Sequence, residues 1–569
     1  MIALDKIRLR GFRSIHQVEM SLGRTTVLIG SNNCGKSTLL KALRLALTDE
    51  QPVTRHDFHQ SDDGTVANEI VIDVRFIPVD DHNGRMPSFD SLWRERLADG
   101  IASEDDRQEY FALRTTVTTD SRTGKPVTVR HFLKDWDKET TGSLLARPLS
   151  AVRMVLLDSE DNLQRSLGRP QSFINQAFNQ LKSDVLAHPR YAHLPITDLR
   201  TTLNRISEAL EGPGSGLPEE LVLSAAGIGR FFEWLKSAEA ADRLPALLGH
   251  GSQKTLLILS TVTLLEGLVR QARAHQWPLF ILIAADEPEA HLHPNAQRTL
   301  MRHLLGLSHQ LLVSTHSPFV ASMADPQALR SMTRKGDIID VRRLPQQMTI
   351  GDLRTLSRTI LRLRGEILFA RGLMFVEGVT EEQLIRGMFH AYFGEDPSTF
   401  GITIVGVDGK SYAPFFLMAL SLHKPFCVVS DNDGDAEYVV RKQLASMENK
   451  TGVNSRQLNS EVYFLSRDQA IEGELVYELK LRDELIDALM ACSPLSQPSE
   501  KNLRLQRQRL FELSPRELKH RLEKKKSAYS SYLGDIIEIN PYHRKTTALL
   551  PRAVLSAFRL MKTWIQTPA

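Results

Sequence analysis

Cysteine is scarce in this chain: Cys34, Cys427 and Cys492 are the only three among 569 residues, and none stands at metal-ligand spacing from another. That excludes a disulfide framework and a cysteine-held zinc module, and it fits a reducing, cytoplasmic setting. Long apolar runs are also missing. The most apolar stretch, Leu279 to Ala285, spans seven residues, against the about 20 that a membrane-spanning helix needs. The opening M-I-A-L-D-K-I-R-L-R places charges among its apolar residues, so it lacks the apolar core of a secretion signal. Nor does one sign of charge dominate. Lys and Arg number 71 against 68 Asp and Glu, a net +3, so a nucleic-acid partner would have to be held by local patches rather than by a global field. With 42% hydrophobic and 24% charged residues, the composition is that of a folded protein. The length predicts about two to four domains.

The apolar patterning divides the chain. Residues 1–50 read strand, strand, Gly-rich loop, helix, and Val66 to Ile77 and Leu113 to Thr119 read as further strands. From about Leu156 to Glu239 the period becomes helical, interrupted by E-G-P-G-S-G-L at Glu211 to Leu217. Residues 245–345 return to alternating strands and helices, which predicts a parallel sheet. A helical stretch near 350–370 leads to a second α/β unit with strands at Gly372 to Val376, Ile402 to Val407 and Pro425 to Ser430. The chain from about Leu475 is mostly helical.

Gly30 to Ser37 reads G-S-N-N-C-G-K-S, the Walker A pattern, placed between a strand and a helix as that loop requires. Gly30, Asn33 and Gly35 let backbone N–H groups turn toward phosphate oxygens, Lys36 supplies charge to the β- and γ-phosphates, and Ser37 and Thr38 follow at the helix start, Ser37 offering its hydroxyl to Mg²⁺. Phe280 to Glu287, F-I-L-I-A-A-D-E, is a Walker B strand. Asp286 is expected to hold Mg²⁺ and Glu287 to polarise the attacking water. His316 in S-T-H-S-P is placed as a switch histidine for the γ-phosphate, and Ser252 lies in G-H-G-S-Q, Gly249 to Gln253, which resembles a divergent ABC signature. In ABC ATPases that signature covers the ATP of a second protomer, which implies a dimer. Gln60 is the candidate for the Q-loop.

A second constellation is acidic. F-V-E-G-V-T-E-E places Glu377 at a strand end and Glu381 in the next helical turn, and V-V-S-D-N-D-G-D places Asp431 and Asp433 at another strand end. Strand C-termini of an α/β sheet converge on one crevice. Four carboxylates there repel one another unless divalent cations bind, and hard oxygen ligands suit Mg²⁺ or Mn²⁺. Paired metals of this kind cleave phosphodiesters.

The segment E-P-E-A-H-L-H-P, Glu287 to Pro294, and the opening L-R-G-F-R-S-I resemble RecF/SMC-like ATPases that act on DNA, and the Glu-Gly and Asp-x-Asp motifs resemble a Toprim domain. An ABC ATPase followed by Toprim resembles the OLD (overcoming lysogenization defect) family of nucleases. The resemblance implies an α/β fold in four segments: the first half of the ATPase at 1–155, a helical dimerization insertion at 156–243, the second half at 244–365, and Toprim with a helical extension at 366–569. It implies ATP with Mg²⁺, and two divalent cations (Mg²⁺ or Mn²⁺) at the Toprim site. Glu472 in A-I-E-G-E-L is implied as a further metal ligand, although Ala470 stands where the family often has a hydroxyl. A transition-state lysine is implied within Lys524 to Lys526, Lys526 being favoured. DNA is the implied substrate and a homodimer the implied assembly, with higher oligomers left open and no membrane partner. Family members serve in anti-phage defence, some with a helicase and some with a retron's reverse transcriptase and its RNA/DNA product. The alternative reading is a RecF/SMC-like DNA repair ATPase in which the acidic cluster no longer cuts.

Overall fold

The computed structural model describes residues 1–49, 52–104, 106–158, 250–479, 481–494, 499–539 and 550–566. The expected helical insertion lies almost wholly outside the described residues. Two compact units are present, Met1–Val341 and Arg342–Ala569. The four-segment scheme implied by the resemblance runs the ATPase to residue 365, so it counts residues 342–365 with the first unit. They join the second unit instead, held by an ion pair from Asp352 to Lys450 and by Arg364 on Glu382 at 3.1 Å.

The first unit is built on one sheet of β1 Ile2–Phe12, β2 Ile15–Ser21, β3 Thr25–Ile29, β4 Glu69–Pro78, β5 Ile101–Ser103, β6 Glu109–Thr119, β7 Pro126–Asp135, β8 Thr140–Leu145, β9 Val152–Leu157, β10 Phe280–Asp286, β11 Gln310–Ser314, β12 Leu329–Lys335 and β13 Ile338–Arg342. The order is β8-β7-β6-β4-β1-β2-β13-β12-β3-β11-β10-β9, with β5 on β6. The half containing β12, β3, β11, β10 and β9 is parallel. Its central strands β3, β10 and β11 are mostly apolar because both faces are covered, and Val27 to Ile29, Leu282 to Ala285 and Leu311 to Val313 are all buried. Helix Lys36–Leu47 follows β3 and packs on β9 and β10 as well as on β1 and β4, and helix His250–Ala274 precedes β10.

The antiparallel half carries a row of charges in register across four strands, ending on a histidine in a fifth. Glu19 faces Arg8, Arg8 faces Asp73, Asp73 faces Arg114, and Arg114 faces His131. Asp73 is fully buried and takes two hydrogen bonds of 2.7 Å from Arg114, and Trp136 lies over the Arg8 guanidinium at 4.6 Å. Buried charges persist only when paired in this way.

The second unit has a four-stranded sheet in the order β15-β14-β16-β17, with β14 Gly372–Val376, β15 Ile402–Gly406, β16 Phe426–Ser430 and β17 Glu461–Phe464. All pairs are parallel. Helix Val379–Phe393 packs along helix Lys526–Ile539 at backbone distance: a Cβ on Gly387 would fall 2.4 Å from the Gly534 carbonyl oxygen. Two glycines therefore permit the approach that carries the start of the Lys526 helix toward the sheet's C-terminal edge. Among the described residues no helix is long and apolar enough to cross a membrane.

Candidate nucleotide and metal sites

In the first unit the C-terminal ends of three adjacent parallel strands meet. Asp286 is in register with Ser314, and Ser314 with Leu28 just before the Gly-rich loop. Gly30 has φ 152° and a Cβ there would fall 2.2 Å from the Met332 carbonyl oxygen, while Asn33 and Gly35 have φ of 64° and 94°. This backbone opens into the N-terminus of helix Lys36–Leu47, whose first turn holds no acid, leaving its N–H groups and dipole for an anion.

The side chains are tied in advance. Lys36 is buried and donates to the carbonyls of Gly30 and Ser31 at 2.9 Å each, and burial lowers its pKa. Ser37 Oγ donates to Asp286 Oδ1 at 2.9 Å, and Ser314 Oγ hydrogen-bonds the same oxygen. Glu287, at φ 46°, turns its carboxylate to His316 Nε2 at 3.3 Å. Burial first, and then Lys36, lower the His316 pKa, so the neutral imidazole is favoured near pH 7. Thr38 is bonded to Ser14 at 3.0 Å. Lys254, which no sequence motif marks, donates to the Glu287 carbonyl at 2.7 Å. Ser252 falls in the first turn of helix His250–Ala274. Gln60 is exposed and bridges to Val66.

In the second unit the acids gather at the equivalent edge of the sheet. Glu377 follows β14, Asp431 and Asp433 follow β16, and Glu472 lies in a short helix, Ile471–Gly473, after β17. Asp431 and Glu381 are buried, as is Glu472. Burial, followed by repulsion from Glu381, Glu377, Glu472 and Asp433, pushes Asp431 up to about 8. Burial also raises Glu377, against the pull of Lys410 and Lys526, and raises Glu381. The five acids thus feel one another, and Lys526 stands within electrostatic reach of Glu377.

The oxygens do not converge on one point, however. Among the described residues no three His, Cys, Asp or Glu side chains enclose an ion as they stand. Local partners and repulsion spread them. Glu381 caps Gly378 N at 2.8 Å, Asp433 pairs with Lys410 at 3.1 Å, and Tyr529 donates to Glu472 at 3.4 Å. Two buried oxygens are left without a hydrogen-bond partner, Glu377 Oε2 and Asp431 Oδ1. Unpartnered buried carboxylate oxygens are costly, and a divalent cation is the partner such a set fits. Lys410 was not singled out from sequence. It follows Asp408 and Gly409, both at positive φ, 58° and 93°, in a turn that no motif marks.

Residues 2–143 and 242–321 match the AAA ATPase domain family, and residues 368–433 match the overcoming lysogenization defect protein-like TOPRIM domain family. An OLD nuclease of Thermus scotoductus is 25% identical over 460 residues, 76% of this chain and 82% of that protein. The Old nuclease of Escherichia phage P2 is 23% identical over 466 residues, 72% of this chain and 73% of that protein. Endonuclease GajA of Bacillus cereus is 22% identical over 202 residues, 30% of this chain and 29% of that protein. The chain thus carries an AAA ATPase domain followed by an OLD-like TOPRIM domain, and over 76% of its length it is similar to an OLD nuclease.

Proposed function

We propose that the protein is an ATP-hydrolysing, divalent-metal-dependent DNA endonuclease of the OLD type that acts in anti-phage defence. In the first unit Lys36 would bind the β- and γ-phosphates against the N–H groups after Gly30, and Ser37 and Asp286 would hold Mg²⁺. Glu287 would orient the attacking water and His316 would contact the γ-phosphate. In the second unit Glu377, Glu381, Asp431, Asp433 and Glu472 would hold two divalent cations, Mg²⁺ or Mn²⁺. Bound cations there supply an activated water and a stabilised leaving oxygen. Lys526 would balance charge on the scissile phosphate, and the basic helices from Lys501 to Lys526 would hold the DNA backbone.

The observation that carries this reading is the pair of orphaned buried oxygens on Glu377 and Asp431 inside a five-carboxylate crevice. Plasmid nicking in Mg²⁺ or Mn²⁺ tests it, run beside an ATPase assay on the same preparations. Glu377→Ala and Asp431→Ala should each abolish nicking and leave ATP turnover largely intact. The competing reading, a DNA repair ATPase without nuclease activity, draws on Ala470 and on the open arrangement of the acids. It predicts no metal-dependent nicking by the unaltered protein.

The domain scheme carries further proposals. The helical insertion at 156–243 pairs two protomers, the signature around Ser252 completes the partner's nucleotide site, and the protein works in the cytoplasm. A helicase, or a reverse transcriptase with its RNA/DNA product, is the class of defence partner the family resemblance supports.

A further inference from the structure

The motif E-P-E-A-H-L-H-P contains a second glutamate to which neither magnesium nor the attacking water gives a role. Glu289 is buried. One of its oxygens, Oε1, accepts three hydrogen bonds from consecutive residues of the switch loop: Thr315 Oγ1 at 2.5 Å, His316 N at 2.9 Å and Ser317 N at 3.2 Å. The other, Oε2, is buried without a partner. Gln297 makes a second bridge. It accepts from Ser317 Oγ at 2.5 Å and donates to the Leu292 carbonyl at 2.8 Å. The chain after Walker B and the loop bearing His316 are thereby fastened at two points, one of them the backbone N–H of His316 itself.

We infer that Glu289 is the positioning residue for His316, fixing the switch loop so that the imidazole faces Glu287 and the γ-phosphate. The inference rests on reading the first unit as an ATPase. Among the described residues the hydrogen bonds of Glu289 run to the loop, and none runs to the P-loop lysine or to Asp286. A charged acceptor of three donors is a strong anchor, and an anchor of the histidine's main chain controls where the ring can point. Oε1 carries all three bonds, so an amide in the same place keeps them, whereas a methyl keeps none.

The test is steady-state ATP hydrolysis and ATP binding by the full chain, for Glu289→Ala, Glu289→Gln, His316→Ala, the Glu289→Ala/His316→Ala double variant, and Thr315→Val alone and combined with His316→Ala. Lys36→Ala serves as the control. Glu289→Ala should lower kcat at least about tenfold with nucleotide Kd within about threefold of the parent, and Glu289→Gln should keep kcat within about threefold. The decisive arm is the double variant, which should be no slower than His316→Ala alone, within about twofold, because both changes remove one device. A multiplicative loss in the double variant overturns the inference, as does a Gln variant as damaged as the Ala variant. If Glu289→Ala does not fold, Thr315→Val decides, since it removes one bond to Oε1. It should slow turnover about threefold in the parent and not in the His316→Ala background, and equal effects in both backgrounds overturn the proposal. An inactive Lys36→Ala beside a fully active Glu289→Ala sinks only this inference. A Lys36→Ala that turns over normally sinks the ATPase reading and the inference with it.

Discussion

Asp431→Asn should make the metal-free protein more stable while destroying its cutting activity. The carboxyl of Asp431 holds its proton up to about pH 8, against an ordinary value of 3.8. In the unfolded chain at pH 7 the same group is ionised. Folding at pH 7 therefore takes up a proton, at about 1.4 kcal/mol for each pH unit separating 7 from the ordinary value, on the order of 4 kcal/mol altogether. The sign follows from proton counts. Between about pH 4 and 8 the folded state binds a proton that the unfolded state lacks, so stability present below that window is lost as pH rises through it. Asparagine keeps the shape and has no proton to take up. In EDTA the variant should melt higher than the parent by on the order of 10 °C at pH 7, given about 2–4 °C per kcal/mol for a domain of this size. The gap should shrink as the pH is lowered toward 5. Adding Mg²⁺ or Mn²⁺ should raise the parent's transition and leave the variant's nearly unmoved. Thermal unfolding of both proteins at pH 5, 6, 7 and 8 is the assay. A gap that stays flat across that range would refute the reasoning, because it would mean that Asp431 is not held protonated by its neighbours.

The nucleotide site yields two predictions. Lys36→Ala should abolish ATP hydrolysis, since no other cation in the loop stands in for Lys36; near-normal turnover would remove the P-loop assignment. Glu287→Gln should bind ATP with near-parental affinity but hydrolyse it at least about 100-fold more slowly, and accumulate as an ATP-bound dimer by light scattering. Loss of binding without a selective loss of turnover would give Glu287 another role. On the second unit, Lys501, Arg509, Arg516, Arg521 and Lys524 are exposed and have no ion-pair partner among the described residues, whereas Arg507 is already neutralised by Asp483 and Asp487. Changing the five unpaired residues to Gln should weaken DNA binding and flatten its salt dependence, by up to about one unit of slope for each phosphate no longer neutralised. Changing Arg507 alone should do little. Equal salt slopes for parent and five-fold variant would place the DNA elsewhere.

The strands that carry the sites were legible because parallel strands buried on both faces write themselves as short apolar runs. The strand Gly372–Val376 matches its apolar run to the residue. The antiparallel flank was harder. Arg8, Asp73 and Arg114 look like surface residues when read along their own strands, yet they are half-buried or buried because each faces an opposite charge on a neighbouring strand. No single strand contains that information. The same holds for β17, four residues E-V-Y-F whose only strong signal is the ladder with β16. Among functional groups, P-loop and Walker B residues announce themselves by spacing, because phosphate and magnesium demand fixed residue types in fixed order. Lys254 and Lys410 have no such order. Each reaches its site from a separate element, so only the fold brings it there.

The two sites are prepared for their ligands in opposite ways. Around the P-loop the ligand-facing groups already satisfy one another: Lys36 rests on carbonyls, Ser37 on Asp286, His316 on Glu287. Such a site is organised before nucleotide arrives, and binding exchanges one set of partners for another. In the Toprim unit the acids raise one another's pKa values, and two buried oxygens have no partner at all. This site is short of positive charge rather than short of order. Lys410 and Lys526 supply part of what is missing, from a loop after β15 and from a helix start held close by the Gly387–Gly534 contact. Two lysines cannot neutralise the five acids once Asp431 gives up its proton, and the remainder is the charge that a pair of divalent cations would carry. The electrostatic deficit that makes the metal-free domain less stable is therefore the same feature that gives it affinity for the cations.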